Sequence, residues 1–197
     1  MFEEIQKRYN TIVIDPPWQI SMAGTKNVRL NQRKALPYKT MSLEEIKQIP
    51  IEKIANTGSH IYLWTTNKML KESFDVFDRW NVKFHIVVVW VKPSAIAPMF
   101  AYQFATEFCL LGFYNKNKPM QKFLGKIRPN WIKAINKHNN HSKKPDVFYN
   151  LVEEMSPAPR IDIFARRQRE RWDVWGDEVT QPPFTPPLKS GGFSGRY

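Results

Sequence analysis

The stretch that most constrains this 197-residue chain is Thr11-Ile12-Val13-Ile14-Asp15-Pro16-Pro17-Trp18. Its first four residues are apolar or β-branched with no polar alternation, the pattern of a strand covered on both faces of a sheet. Neither Pro16 nor Pro17 can donate to a ladder, so strand pairing must stop at Asp15. A carboxylate at the carboxyl end of a central strand lies where open α/β sheets bind their ligands. The prolines hold φ near about −65° and restrict the residue before each of them, so the Pro16 carbonyl is aimed with little freedom left. Asp15, that carbonyl and the flat ring of Trp18 suit a planar molecule carrying an NH2 group, with its N–H bonds on the two acceptors and its ring stacked on the indole. Taken singly, Asp-Pro most often starts a turn and Trp most often fills a core. Together, at the end of an apolar strand, they point to a site.

Further strands and helices alternate along the chain. Ser42 and Glu45 form an S-x-x-E capping box that predicts a helix from Leu43, interrupted at Pro50. His60 to Trp64 reads as a strand. Asn67 can cap a helix whose apolar stripe is Leu70, Phe74, Phe77 and Trp80, a core stripe. Phe84 to Val91 reads as a central, β-branched strand, and Thr106 to Phe113 as another. Glu107 stands in that apolar run, where a carboxylate is costly unless paired or used. Pro145-Asp146 opens a helix with Phe148, Leu151, Val152 and Met155 on one face, and Ile161 to Phe164 is the last long strand. The pattern predicts an α/β three-layer sandwich with a mostly parallel central sheet, in one domain over residues 1–180. Residues 181–197, rich in proline and glycine, are expected to be a disordered tail.

Charge narrows the partners. With 30 Lys and Arg against 18 Asp and Glu, the formal net charge is +12, which favours a polyanion, nucleic acid first. Two segments concentrate it: a loop at 19–37 with Lys26, Arg29 and Arg33, and residues 115–144, which hold nine Lys or Arg and no acid. Lys122, Lys126 and Arg128 in the second segment, with Phe123 and Trp131 among them, read as a phosphate-contacting surface. A lone Cys109 excludes an internal disulfide, and no stretch has the length of a membrane span or a signal-peptide core. A cytoplasmic protein without membrane contact is expected. His60, His85, His138 and His141 with Cys109 lack metal-ligand spacing, and no metal site is expected. No G-x-G-x-x-G, P-loop or G-x-S-x-G motif occurs.

Asp15-Pro16-Pro17-Trp18 after a hydrophobic strand resembles the catalytic motif of the S-adenosylmethionine-dependent N6-adenine methyltransferases, in the branch containing the catalytic subunit of the messenger-RNA adenosine methylase and many bacterial and phage enzymes. The likeness extends over roughly residues 10–180. It includes Pro37-Tyr38-x-Thr40-Met41-Ser42, the strand ends Leu63-Trp64-Thr65 and Trp90-Val91-Lys92-Pro93, and Glu107 before Cys109-Leu110-Leu111-Gly112. It continues through His141-Ser142-Lys143-Lys144-Pro145-Asp146, Asp162-x-Phe164-Ala165-Arg166-Arg167 and Trp172-Asp173-Val174-Trp175-Gly176. In that family the motif order is permuted: the catalytic motif comes first, and the cofactor strand comes last without a glycine-rich turn.

The resemblance implies a Rossmann-like fold with strand 161–164 beside strand 11–14, and S-adenosylmethionine held by Lys144, Asp162, Phe164, Arg166, Asp177 and Glu178. The family more often carries Asn where Asp177 stands. The target adenine would meet Asp15, Pro16, Pro17 and Trp18, with Tyr38, Glu107, Lys92 and the basic loops contacting substrate. The reaction implied is methyl transfer to the N6 amine of adenine in nucleic acid, DNA favoured over RNA. A non-catalytic nucleic-acid-binding subunit is the alternative. Since no separate target-recognition domain is visible, a homodimer or a specificity partner is left open.

Overall fold

The strand ending at Asp15, β1 (Tyr9–Ile14), is the axis of the fold. The computed structural model describes residues 7–19, 40–93, 98–99, 102–135 and 143–176. Among these, β1 is followed by α1 (Leu43–Lys47), α2 (Ile51–Ile54), β2 (Ala55–Thr65), α3 (Leu70–Arg79), β3 (Val82–Val91), β4 (Pro98–Met99), β5 (Tyr102–Gln103), β6 (Thr106–Tyr114), β7 (Trp131–Lys133), α4 (Asp146–Met155), β8 (Arg160–Ile163) and β9 (Asp173–Trp175). Seven strands form one sheet in the order β7-β3-β6-β2-β1-β8-β9, and β4 pairs only with β5. The pairings β1–β2, β1–β8, β8–β9 and β3–β7 are parallel. Strand β6 runs antiparallel to both β2 and β3.

The unbroken apolar run of β1 reflects cover on both sides. Thr11, Ile12, Val13 and Ile14 are all fully buried. Ile12 and Ile14 join the apolar cluster that contains Ile46, Ile51, Ile54, Val76 and Phe77 from α1, α2 and α3. Val13 joins the cluster on the opposite face, with Phe148, Tyr149 and Val152 from α4. Successive side chains of a strand point to opposite faces, so these two clusters are the two outer interfaces of a three-layer sandwich.

Local signals place the helices. Ser42 and Glu45 form the reciprocal capping box at α1. In α3 the buried face is Ser73, Val76 and Phe77, while Phe74 is half-exposed and meets Phe84 edge-on at 5.1 Å. Asn67 lies in a 3-10 turn, and Met69 rather than Asn67 precedes the first turn of α3. The layer between α3 and β6 is tight. A Cβ at Gly112 would meet Val82, the Lys83 carbonyl and Phe77 at 2.6–2.8 Å, so a larger residue there would push the helix off the sheet.

One expectation is corrected. Strand β3 is second from the edge, not central, and only Val89–Val91 have β7 beside them. Apolar β-branched sequence reports burial, and burial does not specify rank in the sheet. Residues 115–130 form an extended ribbon along the α4 face. The Gln121 N–H donates to Gly58 O at 3.0 Å, the Leu124 N–H donates to Met155 O at 3.0 Å, and Phe123 packs on His60 with ring centroids 4.6 Å apart. Gly58, with φ +75°, leaves room for the ribbon, because a Cβ there would lie 2.4 Å from Pro119 O.

The expected tail at 181–197 lies outside the described residues. No helix among the described residues is long and apolar enough to cross a membrane.

Candidate active site

Asp15 follows directly on β1, and its N–H donates to Ile163 O of β8 at 3.3 Å. The ladder ends there because the next two residues have no N–H. The chain then folds back on itself. The Trp18 N–H donates to Pro16 O at 2.8 Å, the Met41 N–H donates to Pro17 O at 2.8 Å, and the Gln19 N–H donates to Met41 O at 3.0 Å. These bonds clamp the Asp-Pro-Pro-Trp turn between the end of β1 and the segment leading into α1. One lone pair of the Pro16 carbonyl is occupied, which leaves one for another donor.

Trp18 is not the open stacking surface that the sequence suggested. It is only 6% exposed, belongs to the core cluster beneath α1, and donates its indole N–H to Trp64 O at 2.9 Å. An aromatic residue beside a catalytic acid can stack on a ligand or anchor the turn, and in this fold it anchors.

Four charges meet at Asp15 and beyond it. Lys144 Nζ lies 2.9 Å from Asp15 Oδ2 and 3.3 Å from Glu107 Oε2. The other oxygen of Glu107 accepts from Lys92. The two ammoniums each rest on an indole: Lys144 is 5.1 Å from the Trp64 ring centroid and Lys92 is 4.5 Å from that of Trp90. Two acids and two cations balance, which makes this much buried charge tolerable. Burial pushes the Asp15 carboxyl above its ordinary range, and Lys144 opposes that rise without cancelling it. Burial acts on Glu107 in the same sense, but Lys144 and Lys92 outweigh it and hold Glu107 below the usual carboxylate range. Burial pulls Lys144 down, and its two carboxylate partners more than restore it.

The adjacent parallel strand supplies the other wall. β8 ends at Ile163, and Phe164 turns the chain with φ 63°, an uncommon value for a non-glycine residue. A cleft between the two strand ends is lined by Asp15, Lys144, Tyr149, Asp162, Phe164 and Arg166, with Lys143, Arg167 and Arg169 beside them. Asp162 is 6% exposed, and its Oδ2 accepts from the Tyr149 hydroxyl at 2.8 Å. Its Oδ1 has no hydrogen-bond partner among the described residues. An ammonium, a carboxylate with one open oxygen, an aromatic face and arginines fit a small ligand bearing both a carboxylate and N–H or O–H donors.

Of the residues singled out in the sequence, the fold gathers Asp15, Pro16, Pro17, Glu107, Lys92, Lys144, Asp162, Phe164 and Arg166 around this cleft or its rim. Lys122, Lys126 and Arg128 are not there. Gln121, next to Lys122, hydrogen-bonds Asn10 at the start of β1, and Arg128 pairs with Glu154 in the last turn of α4. Asp15 and Lys144 sit at the opposite ends of those two elements, roughly 15 Å away at about 1.5 Å per helical residue. The ribbon's cations therefore decorate the far end of the sheet. Tyr38, Lys26, Arg29, Arg33, Asp177 and Glu178 lie outside the described residues.

Sequence reading missed Tyr149. It appeared as one more residue of an amphipathic helix, and the only available signal was a hydroxyl-bearing side chain adjoining the apolar stripe of α4.

Comparison with known proteins accords with this arrangement. The model of the MT-A70 family matches residues 9–178. A protein of Medicago truncatula described as a putative N(6)-adenosine-methyltransferase MT-A70-like is 25% identical over 90% of this chain and 27% of its own length. The type II methyltransferase M.MunI of Mycoplasma sp is 26% identical over 88% of this chain and 79% of its own. The mouse N(6)-adenine-specific methyltransferase METTL4 is 27% identical over 88% of this chain and 38% of its own. The chain thus spans about a quarter of the plant relative.

Proposed function

Because the chain belongs to the MT-A70 family, we propose that it transfers a methyl group from S-adenosylmethionine to the N6 amine of adenine in nucleic acid, with DNA as the favoured substrate. The observation that carries this reading is the convergence of two parallel strand ends. β1 delivers Asp15, and β8 delivers Asp162 and Phe164, to a cleft shared with Lys144. The preference for DNA is supported by the likeness to a bacterial type II methyltransferase, M.MunI.

S-adenosylmethionine fits the donor set and supplies an electrophilic methyl on sulfur. Lys144 would meet its carboxylate, and the open oxygen of Asp162 would accept from a hydroxyl or ammonium. Phe164 and Arg166 would wall the remainder, with Asp177 and Glu178 completing the ribose contacts. On the substrate side, the adenine amine is a weak nucleophile because its lone pair is shared with the ring. Asp15 and the remaining lone pair of the Pro16 carbonyl would accept its N–H bonds and localise that lone pair. Orientation in a site already organised by the ion quartet supplies much of the acceleration. With Trp18 buried, the stacking partner falls to Tyr38. A base taken from a duplex must leave the stack to reach Asp15.

The test is direct. Purified protein is incubated with methyl-labelled S-adenosylmethionine and adenine-containing DNA or RNA, and the nucleosides are analysed by mass spectrometry. N6-methyldeoxyadenosine is the expected product. Label in RNA alone would reassign the substrate, and absence of label from adenine in both would overturn the reading.

A second expectation follows from the ribbon's position. Changing Lys122 and Lys126 together to alanine should leave kcat on a short oligonucleotide unchanged and KM within about threefold, because neither cation reaches the end of the sheet that holds Asp15. A fall in kcat of tenfold or more would show that the ribbon serves the site after all.

A further inference from the structure

The Tyr149 side chain is held from three directions. The Arg169 guanidinium carbon lies 3.9 Å from its ring centroid, Trp172 meets it edge-on at 5.6 Å, and its hydroxyl donates to Asp162 Oδ2 at 2.8 Å. Arg169 is itself fixed by Asp146 at 2.7 Å, in the first turn of α4. Trp172 is fixed by an indole N–H bond to Glu153 Oε1 at 2.7 Å. The result of this bracing is a buried carboxylate with one oxygen occupied and the other without a partner among the described residues. An unpartnered carboxylate oxygen in a buried position costs folding free energy, and a ligand donor at that oxygen recovers it.

We propose that Tyr149 is a positioning residue for cofactor binding: by occupying Asp162 Oδ2 it presents Oδ1 to an N–H or O–H donor of S-adenosylmethionine and makes affinity for that cofactor depend on pH. The proposal rests on the function given above and adds to it a residue and a form of control.

The charged surroundings support the pH dependence. Asp162 shares its cleft with Tyr149 from α4, Asp15 from the end of β1, Lys143 and Lys144 from the segment before α4, and Arg166, Arg167 and Arg169 from the loop after β8. Its neighbour on β9, Val174, is apolar. The Asp162 carboxyl stands raised to about 7: burial lifts it most, the Tyr149 hydrogen bond opposes that, Asp15 adds to it, and Arg169 and Lys144 oppose it. The Tyr149 hydroxyl, raised well above its ordinary value by burial and then by Asp162, stays protonated and remains a donor. Only ionised Asp162 can accept at both oxygens, so cofactor affinity should fall as pH drops through this range.

The experiment is calorimetric titration with S-adenosylmethionine between about pH 6 and about pH 9, on the whole chain, for wild type, Tyr149→Phe and Asp162→Asn. The phenyl ring keeps the contacts with Arg169 and Trp172 and loses only the hydroxyl bond. In the wild type, Kd should rise as pH falls below about 7. In Tyr149→Phe the Asp162 carboxyl is released upward, so the rise should begin at higher pH. The loss should be about tenfold near neutral pH for each unit of displacement and should shrink toward the alkaline end. Asp162→Asn should bind weakly with no pH dependence in this range.

A Tyr149→Phe profile that superimposes on the wild type, or one weakened equally at every pH, would overturn the proposal, since the latter is what simple structural damage produces. Should Tyr149→Phe not fold, the Asp162→Asn comparison decides: the same pH dependence in that variant as in the wild type refutes it. A wild type that binds the cofactor without pH dependence refutes this proposal and leaves the function standing. A wild type that binds none at any pH refutes the function and this proposal with it.

Discussion

An Asp15→Ala protein should fold, bind S-adenosylmethionine within a few-fold of wild type, and lose methyl transfer by about 10²–10⁴-fold, the range expected when a positioned acid–base or hydrogen-bonding group is removed. The fold survives because Lys144 keeps its second carboxylate, Glu107, at 3.3 Å, and because the turn is clamped by backbone bonds that do not involve the Asp15 side chain. Chemistry is lost because the neighbouring carboxylates are committed elsewhere: Glu107 is held by two lysines, and Asp162 by the Tyr149 hydroxyl on the cofactor side of the cleft. Asp15→Asn should fall between the two, since one acceptor oxygen remains. Initial rates of label transfer, with cofactor affinity measured in parallel, check this. Transfer by Asp15→Ala within tenfold of wild type would remove Asp15 from the mechanism.

The largest effect on stability is expected from Lys144→Met. Lys144 is 8% exposed at its side chain and is the only cation of the quartet that touches both carboxylates. Removing it leaves Asp15 and Glu107 as like charges in a buried site, and breaking one side of a buried pair typically costs about 3–5 kcal/mol. For a chain of this size that corresponds to a Tm lowered by roughly 10 °C. The pH dependence has a definite sign. Lys144 holds both carboxyls down, so in its absence their folded-state pKa values rise. A carboxyl whose folded pKa is raised destabilises increasingly as pH climbs above its unfolded value, and protonation relieves the cost. The Tm deficit of Lys144→Met should therefore be larger near pH 8 than near pH 5. Scanning calorimetry at the two pH values is the check, and a deficit that grows in acid would contradict the account. Cofactor affinity should fall as well, since in the proposed function the ammonium would meet the carboxylate of the methionine end.

The parts of the site that were legible in the sequence are those enforced by neighbouring residues. Pro16 and Pro17 end β1 at Asp15 by lacking N–H groups, and that holds in any fold that contains the strand. Ser42 and Glu45 start α1 through bonds three residues apart. The apolar run of β1 reported two covered faces, and both are present. The placement of β8 beside β1 came from the likeness in motif order, and the strands do pair in parallel.

Other features had no local signature. Whether Trp18 stacks on a ligand or packs in the core depends on Trp64, whose carbonyl receives its indole N–H. The cations of residues 115–130 are equally basic at either end of the sheet. They are placed by Gly58, His60 and Met155, which hold the ribbon at the end away from Asp15. Tyr149 became visible only when Asp162 lay beneath its hydroxyl.

What the chain's sequence determined by itself was an acid at the end of a buried strand, in a basic α/β protein with the motifs of one family. Tertiary structure alone decided which charges that acid shares, that Trp18 is buried, and which carboxylate oxygen is left for a ligand. The reason is physical. Turns, caps and strand ends arise from bonds between residues a few positions apart, whereas Asp15, Glu107, Lys144 and Asp162 are distant in the chain and acquire partners only when the sheet brings the ends of β1, β6 and β8 together.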